Sequence, residues 1–215
     1  MSKSYALNWD FERLLCTTPC IGVDEAGRGP LAGPVVAAAV MLPDKLEATP
    51  VKLMDSKAIS ESARNLSYDW IKAHCLVGIG AASVREIEQL NILEASMLAM
   101  QRAVERLEHY GAQSNKQLPV KKVPLLIDGT KAPLSLAPRA LCVIKGDKRC
   151  PSIAAASIVA KVMRDRIMQN LDARYPCYGY AQHKGYPTQK HRKSIAENGI
   201  SVHHRRTFRL LASAE

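Results

Sequence analysis

Ile21-Gly22-Val23-Asp24-Glu25-Ala26-Gly27-Arg28-Gly29-Pro30-Leu31-Ala32-Gly33-Pro34 is the stretch that decides how this chain is read. An apolar run stops at two adjacent carboxylates, Asp24 and Glu25. Gly27-Arg28-Gly29 follows, then a turn built from Pro and Gly. Acids at the end of a buried strand are costly unless something cationic meets them. The basic, glycine-flanked loop beside them suits a phosphate. Together they predict a divalent metal on Asp24 and Glu25 and a polyanion lying against the loop.

Two further acids stand in the same context. Asp128 ends the run Leu125-Leu126-Ile127-Asp128-Gly129, and Asp147 follows Val143-Ile144-Lys145-Gly146. An acid at a strand end next to Gly sits at a sheet rim, where open sheets place their ligands. Taken singly, each Asp reads as a turn cap. Four carboxylates gathered at one rim would repel strongly without cations, and Mg2+ or Mn2+ are the hard, oxygen-seeking ions that fit. In two-metal phosphoryl chemistry such ions lie ~3.5–4 Å apart. His183, His191, His203 and His204 have no acid or cysteine at ligand spacing, so surface or capping roles are expected of them. Asp165, beside Arg164 and Arg166, reads as one half of a structural ion pair.

Working outward, five strands are expected: 20–24, 35–42, 76–82, 123–128 and 140–144. Val and Ile content and Gly/Pro bounds favour strand for most of them. The second, with Ala37-Ala38-Ala39, has the weakest propensity. Ser60-Glu61 opens a helix to about Ala73. Helical spacing runs from Val84 to Leu107, with Asn91 placed to interrupt it and cap a second helix. A long helix is expected from Ser152 to about Arg174. Residues 111–122 read as an exposed loop. The chain divides into an N-terminal arm (1–19, with a short helix around Trp9–Leu15), a catalytic domain (20–175) and a small loop-rich, helical C-terminal module (176–215). Three strands first, then strands alternating with helices, suit an α/β mixed sheet flanked by helices.

The 215 residues carry 30 Lys plus Arg against 20 Asp plus Glu, a formal charge of +10. That excess points to a polyanionic partner. Hydrophobic residues are 47% and aromatics 5%, so the core must be mainly Ala, Val, Ile and Leu. The six cysteines form no close CxxC pair, which argues against zinc. Cys75 and Cys142 lie in apolar runs and read as buried small hydrophobes. The polar N-terminal residues do not read as a signal peptide, and no stretch reaches the ~20 apolar residues needed for a membrane span. A cytoplasmic monomer with no membrane association is expected.

Gly22-Val23-Asp24-Glu25-Ala26-Gly27-Arg28-Gly29-Pro30 resembles the signature of the type 2 ribonuclease H (ribonuclease HII) family. Further blocks resemble the family in order: Met54-Asp55-Ser56-Lys57, the run from Asn91 to Met100, Leu126–Gly129, Lys145-Gly146-Asp147, Ser152–Asp165, His183–Thr188 and His203–Phe208. The resemblance spans residues 20–209. It implies a ribonuclease H-like five-stranded mixed sheet. It implies an endonuclease that cuts RNA in RNA–DNA hybrids, and 5′ of single ribonucleotides embedded in duplex DNA. It implies two Mg2+ or Mn2+ ions on Asp24, Glu25, Asp128 and Asp147, with Asp24 between them. By the same resemblance Gly27, Arg28 and Gly29 sense the ribose 2′-hydroxyl, and Tyr186 stacks on the adjoining sugar. Lys57 and Lys145 are expected to contact phosphates. The Gly-Arg-Gly loop with Tyr186 favours this family over a type 3 ribonuclease H or a junction resolvase. The four acids argue against a non-catalytic nucleic-acid-binding module, because anions would stand where phosphate must lie.

Overall fold

The computed structural model describes residues 9–16, 19–43, 53, 56, 59–113 and 120–211. Five strands form one sheet: β1 (Ile21–Ala26), β2 (Val35–Met41), β3 (Leu76–Ala82), β4 (Leu125–Asp128) and β5 (Ala140–Val143), in the order β3-β2-β1-β4-β5. β2 is antiparallel to β1 and β3, while β1, β4 and β5 run parallel. The principal helices are α1 (Trp9–Leu15), α2 (Glu61–His74), α3 (Val84–Gln113), α4 (Pro151–Arg174), α5 (Tyr180–His183) and α6 (Gln189–Asn198).

Alternation along the strands sets two hydrophobic layers. Ile21, Val23, Ala37 and Ala39 face α3, in a core with Ala99, Ala103 and Leu107. Ala38 and Val40 face the other way, toward Ile71 of α2 and Ile158 and Val159 of α4. Every residue of β2 is buried. That explains why an alanine-rich run with little strand propensity is a strand: burial on both faces decides it, and small side chains let both helix layers close. Gly22 does the same for α4. A Cβ there would lie 2.1 Å from the Ser152 carbonyl carbon and 2.3 Å from the Ile153 nitrogen, so only glycine lets the start of α4 rest on β1. The first ten residues of α4 are buried all round, as expected of a helix with no polar face.

β1 passes through both carboxylates to Ala26, two residues beyond the sequence expectation, because pairing with β2 continues to Ala26↔Val36. Asn91 interrupts α3 as expected. Its backbone lies at φ 68°, and its side-chain oxygen accepts from the N–H of Leu93 (2.9 Å) and Glu94 (3.2 Å), capping the second segment. The exposed loop expected over 111–122 is corrected at its two ends, while 114–119 lie outside the described residues. α3 runs on to Gln113 with Gly111 buried against Val120, and Val120–Lys122 form a 3-10 turn. The buried reading of two cysteines also fails, since Cys142 is exposed on edge strand β5 and Cys75 is half-buried. α1 packs on the domain: buried Glu12 accepts from the N–H (2.9 Å) and hydroxyl (2.8 Å) of Ser152 at the start of α4. There it faces the positive end of the helix dipole. From Pro176 onward the chain folds back over α4, with Tyr178 and Tyr180 buried against Met168 and Ala32. No described helix is long and apolar enough to cross a membrane.

Candidate active site

Because β1, β4 and β5 are parallel, their carboxyl ends share one rim of the sheet. Asp24 and Glu25 stand there on β1 and Asp128 on β4. Asp147 follows β5 in the 3-10 turn Gly146–Lys148. All four line a cavity of about 410 Å³ with Gly27, Arg28, Gly29 and Tyr186. Ser56, Ser157 and Lys161 complete its wall.

Backbone donors fix two of the acids. Asp24 Oδ1 accepts from the N–H of Glu25 (2.7 Å), and Asp128 Oδ1 from the N–H of Gly146 (2.7 Å). Glu25 Oε1 meets the Arg28 guanidinium at 3.4 Å. Burial pushes the Asp24 carboxyl well above the usual range, and the charges of Glu25 and Asp128 push it further, against hydrogen bonds from Ser157 and the backbone. Glu25 is raised by burial as well, with Arg28 pulling it down and Asp128 up. The site therefore holds more negative charge than it can comfortably ionise. Among the described residues, no three His, Cys, Asp or Glu side chains stand close enough together to share one metal ion.

The Gly27–Pro34 loop is held by the tail and by α4. Gly27 has φ +102°, and a Cβ there would lie 2.1 Å from Arg164 Nε. Leu31 N–H donates to the carbonyl of Gly185 (2.8 Å) and Gly33 N–H to that of His203 (2.9 Å). Tyr186, 39% exposed, comes to the cavity edge beside Gly29. Lys145 sits at φ 55° on the turn before Asp147, exposed and outside the cavity wall. Lys57 lies outside the described residues, although its neighbour Ser56 lines the cavity.

Asp165 is a structural partner, but not to the adjacent arginines. It pairs with Lys161 (2.7 Å) and Arg64 (3.9 Å), because a helix brings residue i−4, not i±1, alongside. The surface reading of the histidines is wrong for His191 and His204, which are fully buried in a hydrogen-bonded cluster. Four functional candidates escaped the sequence reading: Ser157, Lys161, Arg164 and Arg205. Ser157 and Lys161 did carry a signal, as polar residues in the apolar run of α4. Arg205 stood only within the family-like block His203–Phe208, with no local sign of its role, since its environment is assembled from segments far apart in the chain.

The family model for ribonuclease HII matches residues 21–211. A ribonuclease HII from Magnetococcus marinus is 52% identical over 188 residues, covering 87% of this chain and 83% of the relative. The ribonuclease HII of Archaeoglobus fulgidus, solved in complex with PCNA, is 24% identical with a TM-score of 0.66, covering 92% and 98% of the two chains. Bst-RNase HIII in complex with Mn2+ gives a TM-score of 0.70 at 18% identity, over 88% of this chain and 65% of that one. The structural likenesses carry the ribonuclease H fold. The sequence match over nearly the whole chain carries the family: this chain belongs to the ribonuclease HII endoribonucleases.

Proposed function

We propose that the cavity cuts the RNA strand of RNA–DNA hybrids and the phosphodiester 5′ of single ribonucleotides in duplex DNA, using two divalent cations. The observation that carries the proposal is the convergence of Asp24, Glu25, Asp128 and Asp147 on the cavity that also holds Gly27-Arg28-Gly29 and Tyr186. The donor set fits Mg2+ or Mn2+: it is all carboxylate oxygen, and its excess charge has already pushed Asp24 and Glu25 up. A related fold, that of Bst-RNase HIII, was solved with Mn2+. Bound there, such ions supply an activated water and charge stabilisation of the leaving oxygen.

The chain's own residues do the rest. Asp24, the most buried of the four, feels the charges of both Glu25 and Asp128 and would be among the residues that hold the cations. The mutual repulsion of Asp24, Glu25 and Asp128 would be offset by cations that these acids hold. Arg28, half-exposed and 3.4 Å from Glu25, would be free to meet a substrate phosphate once cations hold the acids. Backbone groups at Gly27 and Gly29 can approach a ribose closely, and the 2′-hydroxyl both donates and accepts. The Tyr186 ring offers a stacking face for the neighbouring sugar. Lys145 and Lys57 are assigned to substrate phosphates. The test is a duplex carrying one ribonucleotide, incubated with and without Mg2+. A metal-dependent nick on the 5′ side of the ribonucleotide is expected; a cut elsewhere, or none, refutes the reading.

A further inference from the structure

Two arginines, Arg164 and Arg205, are almost completely buried, and no described carboxylate lies within ion-pair distance of either. A buried cation without a counter-ion is costly unless its donors are all met. Here backbone carbonyls meet them. Arg205 Nη2 donates to the carbonyls of Gly27 (2.6 Å) and Gly33 (2.8 Å), Nη1 to that of Arg28 (2.9 Å), and Nε to Gly33 again (3.0 Å). Arg164 donates to the carbonyls of Pro34 (3.0 Å), Ala32 (3.1 Å) and Lys184 (3.0 Å). Burial lowers both, Arg205 to about 9 and Arg164 to about 10, so each stays charged at neutral pH.

The direction of those carbonyls matters. In a trans peptide the C=O of one residue and the N–H of the next point oppositely. With the carbonyls of Gly27 and Arg28 turned onto Arg205, the N–H groups of Arg28 and Gly29 are turned away from it. Arg205 is no part of the cavity wall, whereas Gly27, Arg28 and Gly29 are. No described residue accepts a hydrogen bond from the N–H of Arg28 or Gly29.

We propose that Arg205 is a positioning residue for ribose selectivity: its buried fork fixes two peptide planes so that the Arg28 and Gly29 amides face the substrate. Arg164 anchors the rest of the same loop. The proposal rests on the reading of Gly27-Arg28-Gly29 as the ribose sensor and adds the residue that aims it. The role needs a guanidinium, because three carbonyls at different bearings must be met at once. An ammonium keeps the charge but not the fork.

The experiment compares two duplexes that differ only in one 2′-hydroxyl. Binding is measured by anisotropy in the Asp24→Asn background, with and without Arg205→Lys, alongside thermal melts. The lysine variant is expected to lose about two- to tenfold of the preference for the ribonucleotide duplex, the worth of one or two hydrogen bonds. Its affinity for the all-DNA duplex should stay unchanged. An undiminished preference overturns the proposal, and so does an equal weakening on both duplexes, which is the mark of a merely structural role. If the Asp24→Asn protein with Arg205 intact has no preference, the sensor reading itself falls and the proposal with it. Should the lysine variant fail to fold, the protein with Arg205 intact decides. Its Arg28 and Gly29 amide resonances should move more with the ribonucleotide duplex than with DNA, and equal movement overturns the proposal.

Discussion

Asp128 on β4 accepts a 2.7 Å hydrogen bond from the backbone N–H of Gly146, and so ties its own strand to the turn that carries Asp147. Two of the four acids are thus placed by one contact. The contact and the charge can be separated. Asn at 128 can still accept from Gly146 but brings no charge; Ala does neither. Both variants should lose cleavage by at least about a hundredfold, as expected when electrostatic stabilisation is removed. Hydrogen exchange should show the Gly146 amide still protected in Asp128→Asn and exposed in Asp128→Ala. Equal protection in the two would mean that the turn is held by something else.

Asp24→Asn should abolish metal-dependent cleavage and yet stabilise the metal-free protein. Asp24 is raised by burial and by its acidic neighbours, so its charge opposes folding at neutral pH. Removing that buried charge, and its repulsion with Glu25 and Asp128, should raise the stability of the metal-free protein. Denaturant melts in EDTA check this, and a less stable variant would contradict it.

The two glycines of the loop should behave differently. At Gly27 a methyl group meets Arg164 Nε at 2.1 Å and the Pro34 carbonyl oxygen at 2.9 Å, on a backbone at φ +102°. Gly27→Ala should cost about 2–4 kcal/mol from strain and overpacking together. At Gly29 the nearest atom to an added Cβ is Tyr186 Cε1, 3.8 Å away. Gly29→Ala should therefore fold normally, and any fall in its cleavage of a ribonucleotide duplex would be a defect of recognition. Thermal melts of the two single variants separate these cases.

His191 and His204 should stay neutral well below the usual imidazole range. Their hydrogen bonds fix the tautomers. Ser201 N–H can only donate, so His204 Nδ1 accepts (2.9 Å); the Tyr186 carbonyl can only accept, so His191 Nδ1 donates (3.0 Å). One proton then lies between the two Nε2 atoms, 3.1 Å apart. Protonating either ring sets two donors against each other. Burial and the neighbouring imidazoles lower both to about 4. The unfolded chain takes up these protons near pH 6.5 and the folded one only near 4. The resulting stability, on the order of a few kcal/mol, is complete above pH 6.5 and lost as pH falls toward 4. The raised carboxyls of Asp24 and Glu25 work in the opposite sense, so the imidazole NMR resonances are the cleaner test. They should not titrate above about pH 5.

Much of the fold is legible in the sequence. Apolar runs, most of them bounded by Gly or Pro, marked all five strands, and acids at the ends of two of them pointed to the rim. The family resemblance added Tyr186, which local chemistry alone does not single out. Local reading failed wherever the deciding partner is distant in sequence. Nothing near Arg205 announces three carbonyls contributed by residues 27–33. Nothing near His191 announces His204. The 111–122 segment looked like a loop because its polar residues dominate, while the contact that buries Gly111 comes from Val120. Cys142 looked buried because its run is apolar, but β5 is the sheet edge.

The central claim is that Asp24, Glu25, Asp128 and Asp147 together hold the divalent cations that cut the substrate. Its most direct test is Mn2+ binding followed by electron paramagnetic resonance, in the unmodified protein and in four single variants: Asp24→Asn, Glu25→Gln, Asp128→Asn and Asp147→Asn. The account predicts that the unmodified protein binds Mn2+ and that each variant binds it more weakly, Asp24→Asn most of all. Mn2+ binding that is unchanged across all four variants would contradict it.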